Sequence, residues 1–186
     1  MTSLHAIQEA ARRMAGHVTR TPLMHAPLLD RIAGRRVLVK AESLQTTGSF
    51  KLRGAWSALS ALPAGDGVLA FSSGNHAQGV AWAGSQMGRR VIVVMPSDAP
   101  AVKIDNTKAY GGEVVLYDRA TQDRTVIGAR LVAEHGLHLV PPYDHPQVIA
   151  GQGTIGLELA AEAPEGAEVL VCCGGGGLAS GIALAL

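Results

Sequence analysis

The amino-acid sequence predicts an α/β fold in which helices cover parallel strands. Short runs rich in β-branched residues, VLAF, RVIVVMP, EVVLY and HLV, alternate with longer stretches of helical periodicity. Such alternation is typical of parallel sheets, because each helix carries the chain back across the sheet. Hydrophobic residues make up 47% of the 186 residues, which is enough for a buried core and too many for a disordered chain.

The first elements follow from apolar periodicity and from residues that end helices. A helix is expected at about 4–15, and RVLVKAE predicts a short strand. The next helix should begin near Ser49 and end before Pro63. The helices that separate the four strands are expected near 75–87, 99–110 and 120–135. The glycines expected at the C-terminal caps of these helices are Gly88, Gly111 and Gly136.

The C-terminal stretch should contain a glycine-rich turn, GQGTIG, and then a helix that ends at about 162. The strand EVLVCC, four glycines and a final helix follow. The only two cysteines, Cys172 and Cys173, are neighbours, and their spacing matches no zinc site. We expect two reduced thiols at the end of a buried strand in a cytoplasmic protein.

Two open parallel-sheet units are expected. A small α/β domain should span 66–144, whereas 1–65 and 145–186 should belong to a larger α/β domain. The sequence ends inside an apolar helix, SGIALAL, without a cap or a polar tail. Because a helix after a strand normally leads to another parallel strand, we expect the larger domain to be truncated at its C-terminus. Such a chain would expose apolar surface and should be poorly soluble or dimerise.

Charge and hydropathy exclude several function classes. The 16 basic and 15 acidic residues give a net charge of +1 without a basic run, which argues against a nucleic-acid surface. No apolar run approaches the ~20 residues that a membrane-spanning helix needs. These observations leave a small molecule as the expected partner. We also expect a cytoplasmic protein that forms a homodimer or a higher homo-oligomer.

The four consecutive glycines predict a phosphate-binding loop. Gly174, Gly175, Gly176 and Gly177 separate a strand from a helix, and they allow several backbone N–H groups to point into one space. The positive end of the following helix dipole favours an anion there. The run lacks the third glycine of a dinucleotide-binding fingerprint, because Ser180 stands at that position, and no P-loop lysine follows.

The turn FSSGNHAQG is a second candidate anion site. It follows the strand VLAF and opens a helix for which Asn75 is a plausible N-cap. The hydroxyl groups of Ser72 and Ser73 and the free N–H groups of the first helical turn would suit a carboxylate. The turn also follows the carboxyl end of a parallel strand, where open α/β sheets bind ligands.

Lys51, in GSFKLRG, is the candidate nucleophile. It should lie at the start of a helix capped by Ser49, where the helix dipole disfavours an ammonium group. Burial beside Phe50 would lower the lysine pKa further and favour a neutral amine that attacks an aldehyde. Together with a phosphate loop, this lysine points to a phosphate-bearing aldehyde cofactor, of which pyridoxal 5′-phosphate is the obvious candidate.

Three stretches in this order resemble the serine/threonine dehydratase family of pyridoxal-phosphate enzymes: ESLQTTGSFKLRGA, FSSGNHAQGVA and CCGGGGLASG. RTPL, MPSDAPAVKIDNTKAYGGEVV and HPQVIAGQGTIGLEL resemble the family as well, so the likeness covers nearly the whole chain. It implies the tryptophan synthase β-like fold, also called pyridoxal-phosphate fold type II.

The resemblance also implies roles for individual residues. Lys51 would form the imine with the cofactor and remove the α-proton of the substrate. Phe50 would lie alongside the cofactor ring, and Asn75 would bind its phenolic oxygen. The phosphate would be held by Gly174, Gly175, Gly176, Gly177 and Leu178. The substrate carboxylate would be bound by Ser73, Gly74, Asn75 and His76. In racemases of this family, the serine that matches Ser73 acts as a second base.

The implied activity is β-elimination of a hydroxy amino acid, such as L-threonine or L-serine, to a 2-oxo acid and ammonia. A serine or aspartate racemase, a hydroxyaspartate dehydratase and a non-catalytic truncated fragment remain alternatives. Ser43, Trp56, Ser57 and the Cys172–Cys173 pair depart from the residues common in the family. None of these positions lies in the motifs that bind the cofactor.

Overall fold

The computed structural model describes residues 2–186, which form helices around one parallel sheet. The helices are α1 (Leu4–Met14), α2 (Pro27–Ala33), α3 (Lys51–Ser60), α4 (Asn75–Gln86), α5 (Ala101–Ala109), α6 (Arg124–His135), α7 (Pro146–Glu162) and α8 (Gly177–Ala185), with a 3-10 turn at Glu42–Leu44. The strands are β1 (Leu23–His25), β2 (Leu38–Lys40), β3 (Val68–Phe71), β4 (Val91–Pro96), β5 (Glu113–Tyr117) and β6 (His138–Leu139).

The central sheet has four parallel strands in the order β5-β4-β3-β6. Leu69 of β3 pairs with Ile92 of β4 on one side and with Leu139 of β6 on the other. This sheet confirms the α/β prediction, and its four strands lie where the sequence predicted them. Gly88, Gly111 and Gly136 all have positive φ and stand directly at or after the last turn of their helices, as expected of C-terminal caps.

Alternate residues of the strands enter two different cores. Val68 and Ala70 belong to the main core, which also contains buried residues of α1, α3 and α4. Leu69 and Val94 face the opposite layer, where Leu131 of α6 covers them. This alternation follows from the pleat, because successive side chains of a strand point to opposite faces of the sheet. The sheet is therefore covered by helices on both faces, as parallel sheets require.

Helix α7 is the centre of the second layer, in contact with α1, α3 and α8. The segment GQGTIG, for which the sequence predicted a turn, lies inside α7, so that prediction was wrong. Most residues of α7 from Val148 to Gly156 are buried, and the glycines allow neighbouring helices to approach its backbone closely. Tertiary packing here outweighs the low helix propensity of glycine, which costs about 1 kcal/mol per residue.

The region outside the parallel sheet differs from the prediction of a second parallel sheet. In residues 2–186, its only paired strands are β1 and β2, which form a two-stranded antiparallel ribbon. The segment EVLVCC is not a strand here, because no neighbouring strand pairs with it. Leu170 is 97% exposed, and Cys172 and Cys173 are exposed rather than buried. The domain division at 65/66 and 144/145 stays a prediction.

Two further properties bear on function. Among residues 2–186, no helix is both long and apolar enough to cross a bilayer. In the same part of the chain, acidic, histidine and cysteine side chains do not gather in groups of three or more that could hold a metal ion.

Candidate active site

One cavity of about 280 Å³ contains most of the predicted cofactor-binding residues. The predicted residues that line it are Phe50, Lys51, Gly174, Gly175, Gly176, Gly177 and Leu178. Five further residues complete its wall: Pro142, Tyr143, Gln152, Cys172 and Cys173. The structure therefore brings the candidate amine and the candidate phosphate loop together, although more than 100 residues separate them in the sequence.

Lys51 is the first residue of α3, and its side chain is partly buried. Its Nζ donates a hydrogen bond of 2.6 Å to the carbonyl oxygen of Pro142 and lies 5.3 Å from the centre of the Phe50 ring. Burial lowers the pKa of Lys51, and the nearby thiol of Cys172 opposes this effect. The predicted direction of the shift is confirmed. The predicted cap was wrong, because Phe50 occupies the cap position and the Ser49 hydroxyl has no partner.

Helices α4 and α7 hold the start of α3 in place. A Cβ atom at Gly79 of α4 would lie 3.3 Å from the carbonyl carbon of Lys51, and one at Gly151 of α7 would overlap the carbonyl oxygen of Arg53. Only glycine permits both approaches without displacing backbone. The backbone that carries the lysine is therefore fixed from two sides.

Arg53 connects α3 to its surroundings by a buried ion-pair network. Its guanidinium donates to both carboxylate oxygens of Glu42 and to both of Glu158, at distances from 2.6 to 3.0 Å. Burial alone would lower the pKa of Arg53, but the hydrogen bonds with these two glutamates raise it. Lys40 adds a second cation at 2.7 Å from Glu158. Such bidentate pairs fix geometry as well as charge.

The glycine loop leads directly into α8. Gly176 has φ +83° and occupies the cap position, a conformation that favours glycine. A Cβ atom at Gly175 would overlap the ring of Tyr143, and one at Gly177 would lie 2.6 Å from the Tyr143 carbonyl oxygen. In residues 2–186, the N–H groups of these four glycines donate to no backbone acceptor. They are therefore available for an anion at the start of the helix.

The turn that follows β3 lies beside the cavity but does not line it. Ser73, Gly74, Asn75 and His76 are absent from the cavity wall. The predicted cap is wrong here as well, because Gly74 stands at the cap position and Asn75 is the first helical residue. The Gly74 N–H donates to Ser72 Oγ at 3.1 Å, and Lys103 Nζ donates to Asn75 Oδ1 at 2.9 Å.

His76 links this turn to the strand beside it. Its Nε2 lies 2.9 Å from the carbonyl oxygen of Val140, directly after β6, so this nitrogen carries the proton that is donated. Burial lowers the pKa of His76 to about 4, although the hydrogen bond to Val140 opposes this, and the charge of Lys51 lowers it further. The imidazole is therefore neutral at neutral pH.

The sequence analysis missed five residues of the cavity wall, including Cys172 and Cys173, which it placed at the end of a buried strand. Pro142 and Tyr143 follow β6, which is the neighbour of β3, so both connections lie at the carboxyl edge of the sheet. The composition of PPYD is typical of a turn and does not indicate that these residues line a ligand site. Gln152, between two glycines of α7, was obscured by the prediction of a turn at GQGTIG.

Comparisons with known proteins identify the family. Residues 14–186 match the profile of a family described as pyridoxal-phosphate dependent enzyme. The chain is 48% identical to an L-threo-3-hydroxyaspartate ammonia-lyase of Pseudomonas sp, over 100% of this chain and 59% of that protein. The structure of maize serine racemase superposes with a TM-score of 0.95 at 39% identity, over 99% of this chain and 57% of the racemase. A threonine deaminase from T.th. gives a TM-score of 0.91 at 49% identity, over 99% of this chain and 60% of the deaminase.

The chain thus belongs to the pyridoxal-phosphate-dependent enzymes of the tryptophan synthase β-like fold. Within this class its relatives are ammonia-lyases and racemases of amino acids, and the cofactor of the family is pyridoxal phosphate. The chain spans less than two thirds of the length of these three relatives.

The residues of the cavity fit this cofactor. Lys51 supplies an amine with a lowered pKa, and the glycine loop supplies free N–H donors at a helix start. The position of a Cβ atom at Gly174 or Gly176 has no other atom within 4 Å, so the loop leaves open space on that side.

Proposed function

We propose that this chain carries the cofactor-binding lysine of an ammonia-lyase that acts on a β-hydroxy amino acid such as L-threonine or L-serine. The overall reaction removes the hydroxyl and amino groups and yields a 2-oxo acid and ammonia. The observation that supports this proposal best is that the Lys51 amine and the four-glycine loop share one cavity.

Lys51 has two tasks in this proposal. Its neutral amine would hold the cofactor at the aldehyde, and the same Nζ would accept the α-proton of the substrate. When bound, pyridoxal phosphate supplies the aldehyde and an electron-withdrawing ring. The lowered pKa of Lys51 favours the neutral amine that both tasks require. The Pro142 carbonyl orients Nζ between these events.

The other predicted residues bind and orient. The N–H groups of Gly174 to Gly177, with Leu178, would hold the phosphate, and Phe50 would pack against the cofactor ring. Ser73, Gly74, Asn75 and His76 would bind the substrate carboxylate, and Asn75 would also donate to the phenolic oxygen of the cofactor. His76 would use its backbone N–H, because the imidazole proton is donated to Val140. Because Asn75 Oδ1 accepts from Lys103, Asn75 keeps its amide nitrogen free to donate.

A second candidate substrate is L-threo-3-hydroxyaspartate. The support is the 48% identity with an ammonia-lyase of that name. Racemisation of serine or aspartate is a third outcome, with Ser73 as the base on the opposite face, and a fragment that binds cofactor without turnover is a fourth. Release of 2-oxo acid and change of optical rotation, followed for each amino acid with this chain and with the full-length protein, distinguish these four.

The proposal is tested by trapping the cofactor. The purified chain is mixed with pyridoxal phosphate, reduced with borohydride, digested and analysed by mass spectrometry. We expect yellow colour and a reduced adduct on Lys51. Lys51→Ala should lose the adduct and any 2-oxo acid release. Lys108→Ala, a change at an exposed lysine on α5, should keep both. A colourless chain, or an adduct on another lysine, would refute the assignment.

A further inference from the structure

Gln152 is a buried amide without a hydrogen-bond partner in the wall of the active-site cavity. The residue is 1% exposed, and neither Nε2 nor Oε1 has a partner. It lines the cavity together with Lys51 and the glycine loop. Buried polar groups are nearly always hydrogen-bonded, because an unpaired one loses its interactions with water and gains nothing in return.

Gln45 is a buried glutamine of this protein whose two amide atoms are both hydrogen-bonded. It is 3% exposed, nearly as buried as Gln152. Its Nε2 donates to the Thr19 carbonyl at 2.8 Å, and its Oε1 accepts from the Thr19 N–H at 3.0 Å. Gln78 is 2% exposed and has an unpaired Nε2, but its Oε1 accepts from Asn106 at 3.0 Å. Among the three buried glutamines of residues 2–186, only Gln152 is therefore unpaired at both amide atoms.

The position of Gln152 is fixed by glycines on both sides. Gly151 lets α7 approach the backbone of α3, and a Cβ at Gly153 would lie 2.8 Å from the Gly181 carbonyl of α8. Helix α3 begins with Lys51, and α8 begins at the glycine loop. Gln152 therefore lies where the helix of the amine and the helix of the phosphate loop both meet α7.

The side-chain amide of Gln152 also lies in space that is free only because residue 54 is glycine. A Cβ atom at Gly54 of α3, one turn after Lys51, would overlap Nε2 of Gln152. Any larger residue at position 54 would push the amide away.

We propose that Gln152 is a further binding residue of this cavity, whose Nε2–H donates a hydrogen bond to an anionic oxygen of the molecule that fills it. This inference rests on the proposed function. The anionic oxygen belongs either to the cofactor phosphate or to the carboxylate of the amino acid. A neutral amide donates to either without the desolvation cost of another buried cation.

The test uses Gln152→Met, which keeps the shape of the side chain and removes the amide, and Gln45→Met as the matched control. Urea unfolding is measured without cofactor, and affinity for pyridoxal phosphate is measured by absorbance titration. We expect Gln152→Met to leave the urea midpoint unchanged or raised, since no hydrogen bond is lost. Gln45→Met should lower the midpoint and leave cofactor affinity unchanged.

Binding distinguishes the two sources of the anion. A contact to the phosphate predicts that Gln152→Met weakens cofactor binding about 10- to 100-fold. A contact to the carboxylate predicts unchanged cofactor binding and a similar rise in the serine or threonine concentration that half-saturates the absorbance change of the loaded protein. The inference is wrong if neither affinity changes, or if Gln152→Met destabilises the empty protein as much as Gln45→Met does. A wild-type chain that binds no cofactor would instead refute the proposed function, and this inference with it.

Discussion

Lys51 and His76 are two ionisable groups whose neutral forms are favoured by burial. Desolvation lowers the pKa of both, and the lysine charge contributes to the shift of His76. In the proposed function the shift of Lys51 favours the neutral amine, because only the neutral amine attacks an aldehyde. For His76, burial also makes the free energy of unfolding depend on pH, because its pKa is lowered in the folded chain but not in the unfolded chain.

The stability of the protein should therefore depend on pH through His76. The folded pKa of about 4 lies below the ordinary value of 6.5. Between these values the unfolded chain binds a proton that the folded chain does not, so stability is lost as pH falls. Relative to His76→Gln, which keeps a donor for Val140 without titrating, the wild type should lose roughly 2–3 kcal/mol between about pH 7.5 and 4.5.

Urea unfolding of both proteins across this pH range measures the difference directly. Other histidines and carboxylates titrate in both proteins, so their effects cancel in the comparison. If the two stability curves stay parallel between about pH 7.5 and 4.5, the buried neutral imidazole is refuted.

At the scale of elements, Arg53 is the main polar connection between α3 and α7. Its guanidinium side chain is 2% exposed and binds Glu42 and Glu158 bidentately. Arg90 and Glu113 form a similar bidentate pair at the surface, with exposures of 45% and 53%. Both arginines bind a carboxylate bidentately, but Arg53 is buried and Arg90 is exposed. Mutating each one therefore measures how burial changes the strength of such a pair.

Arg53→Met should lower the free energy of unfolding by about 3–5 kcal/mol, because Glu42 loses its cation and Glu158 keeps only Lys40. Arg90→Met should cost less than about 1 kcal/mol, since water and salt already screen that pair. Denaturant unfolding of the two variants beside the wild type checks this. Equal losses for both variants would show that burial does not set the strength of the Arg53 network.

Elements with a clear local pattern could be predicted from the sequence. The four strands of the parallel sheet are marked by β-branched runs, and the glycines after α4, α5 and α6 mark their ends. Lys51 and Gly174 to Gly177 could be assigned to one site because an amine and a phosphate loop imply the same kind of ligand. These features depend on neighbouring residues in the sequence or on the chemistry of individual side chains, so a single sequence is enough to predict them.

Other features depend on packing that a single sequence does not display. GQGTIG forms a helix because three neighbouring helices bury it, which local glycine propensity cannot reveal. EVLVCC has the composition of a buried strand, yet a strand requires a partner, and composition does not state where the partner lies. Tyr143 reaches the cavity only because β6 lies beside β3 in the sheet.

At the scale of the whole molecule, the segment EVLVCC is an exposed apolar stretch of unpaired backbone. Leu170 is 97% exposed and Val169 36% exposed. Unpaired backbone with apolar side chains is a template for pairing with another chain. The sequence analysis expected poor solubility or dimerisation, and this segment is where a second copy of the chain should attach.

Leu170→Lys should therefore reduce self-association, because a charge on an exposed edge disfavours pairing. Leu28→Lys is the control, since Leu28 is 63% exposed on α2 and is not part of this segment. Sedimentation velocity at several concentrations measures the outcome. We expect the wild type and Leu28→Lys to associate and Leu170→Lys to shift toward monomer. A wild type that stays monomeric throughout the concentration range would contradict this prediction.

The cavity is assembled from distant parts of the chain. Lys51 leaves the ribosome early, whereas Cys172 to Leu178, which close the wall around its amine, emerge more than 100 residues later. In that interval the nascent chain carries Lys51 without the glycine loop that is proposed to bind the phosphate. Loading with vitamin B6 must therefore wait until the glycines have been synthesised and have folded against α7.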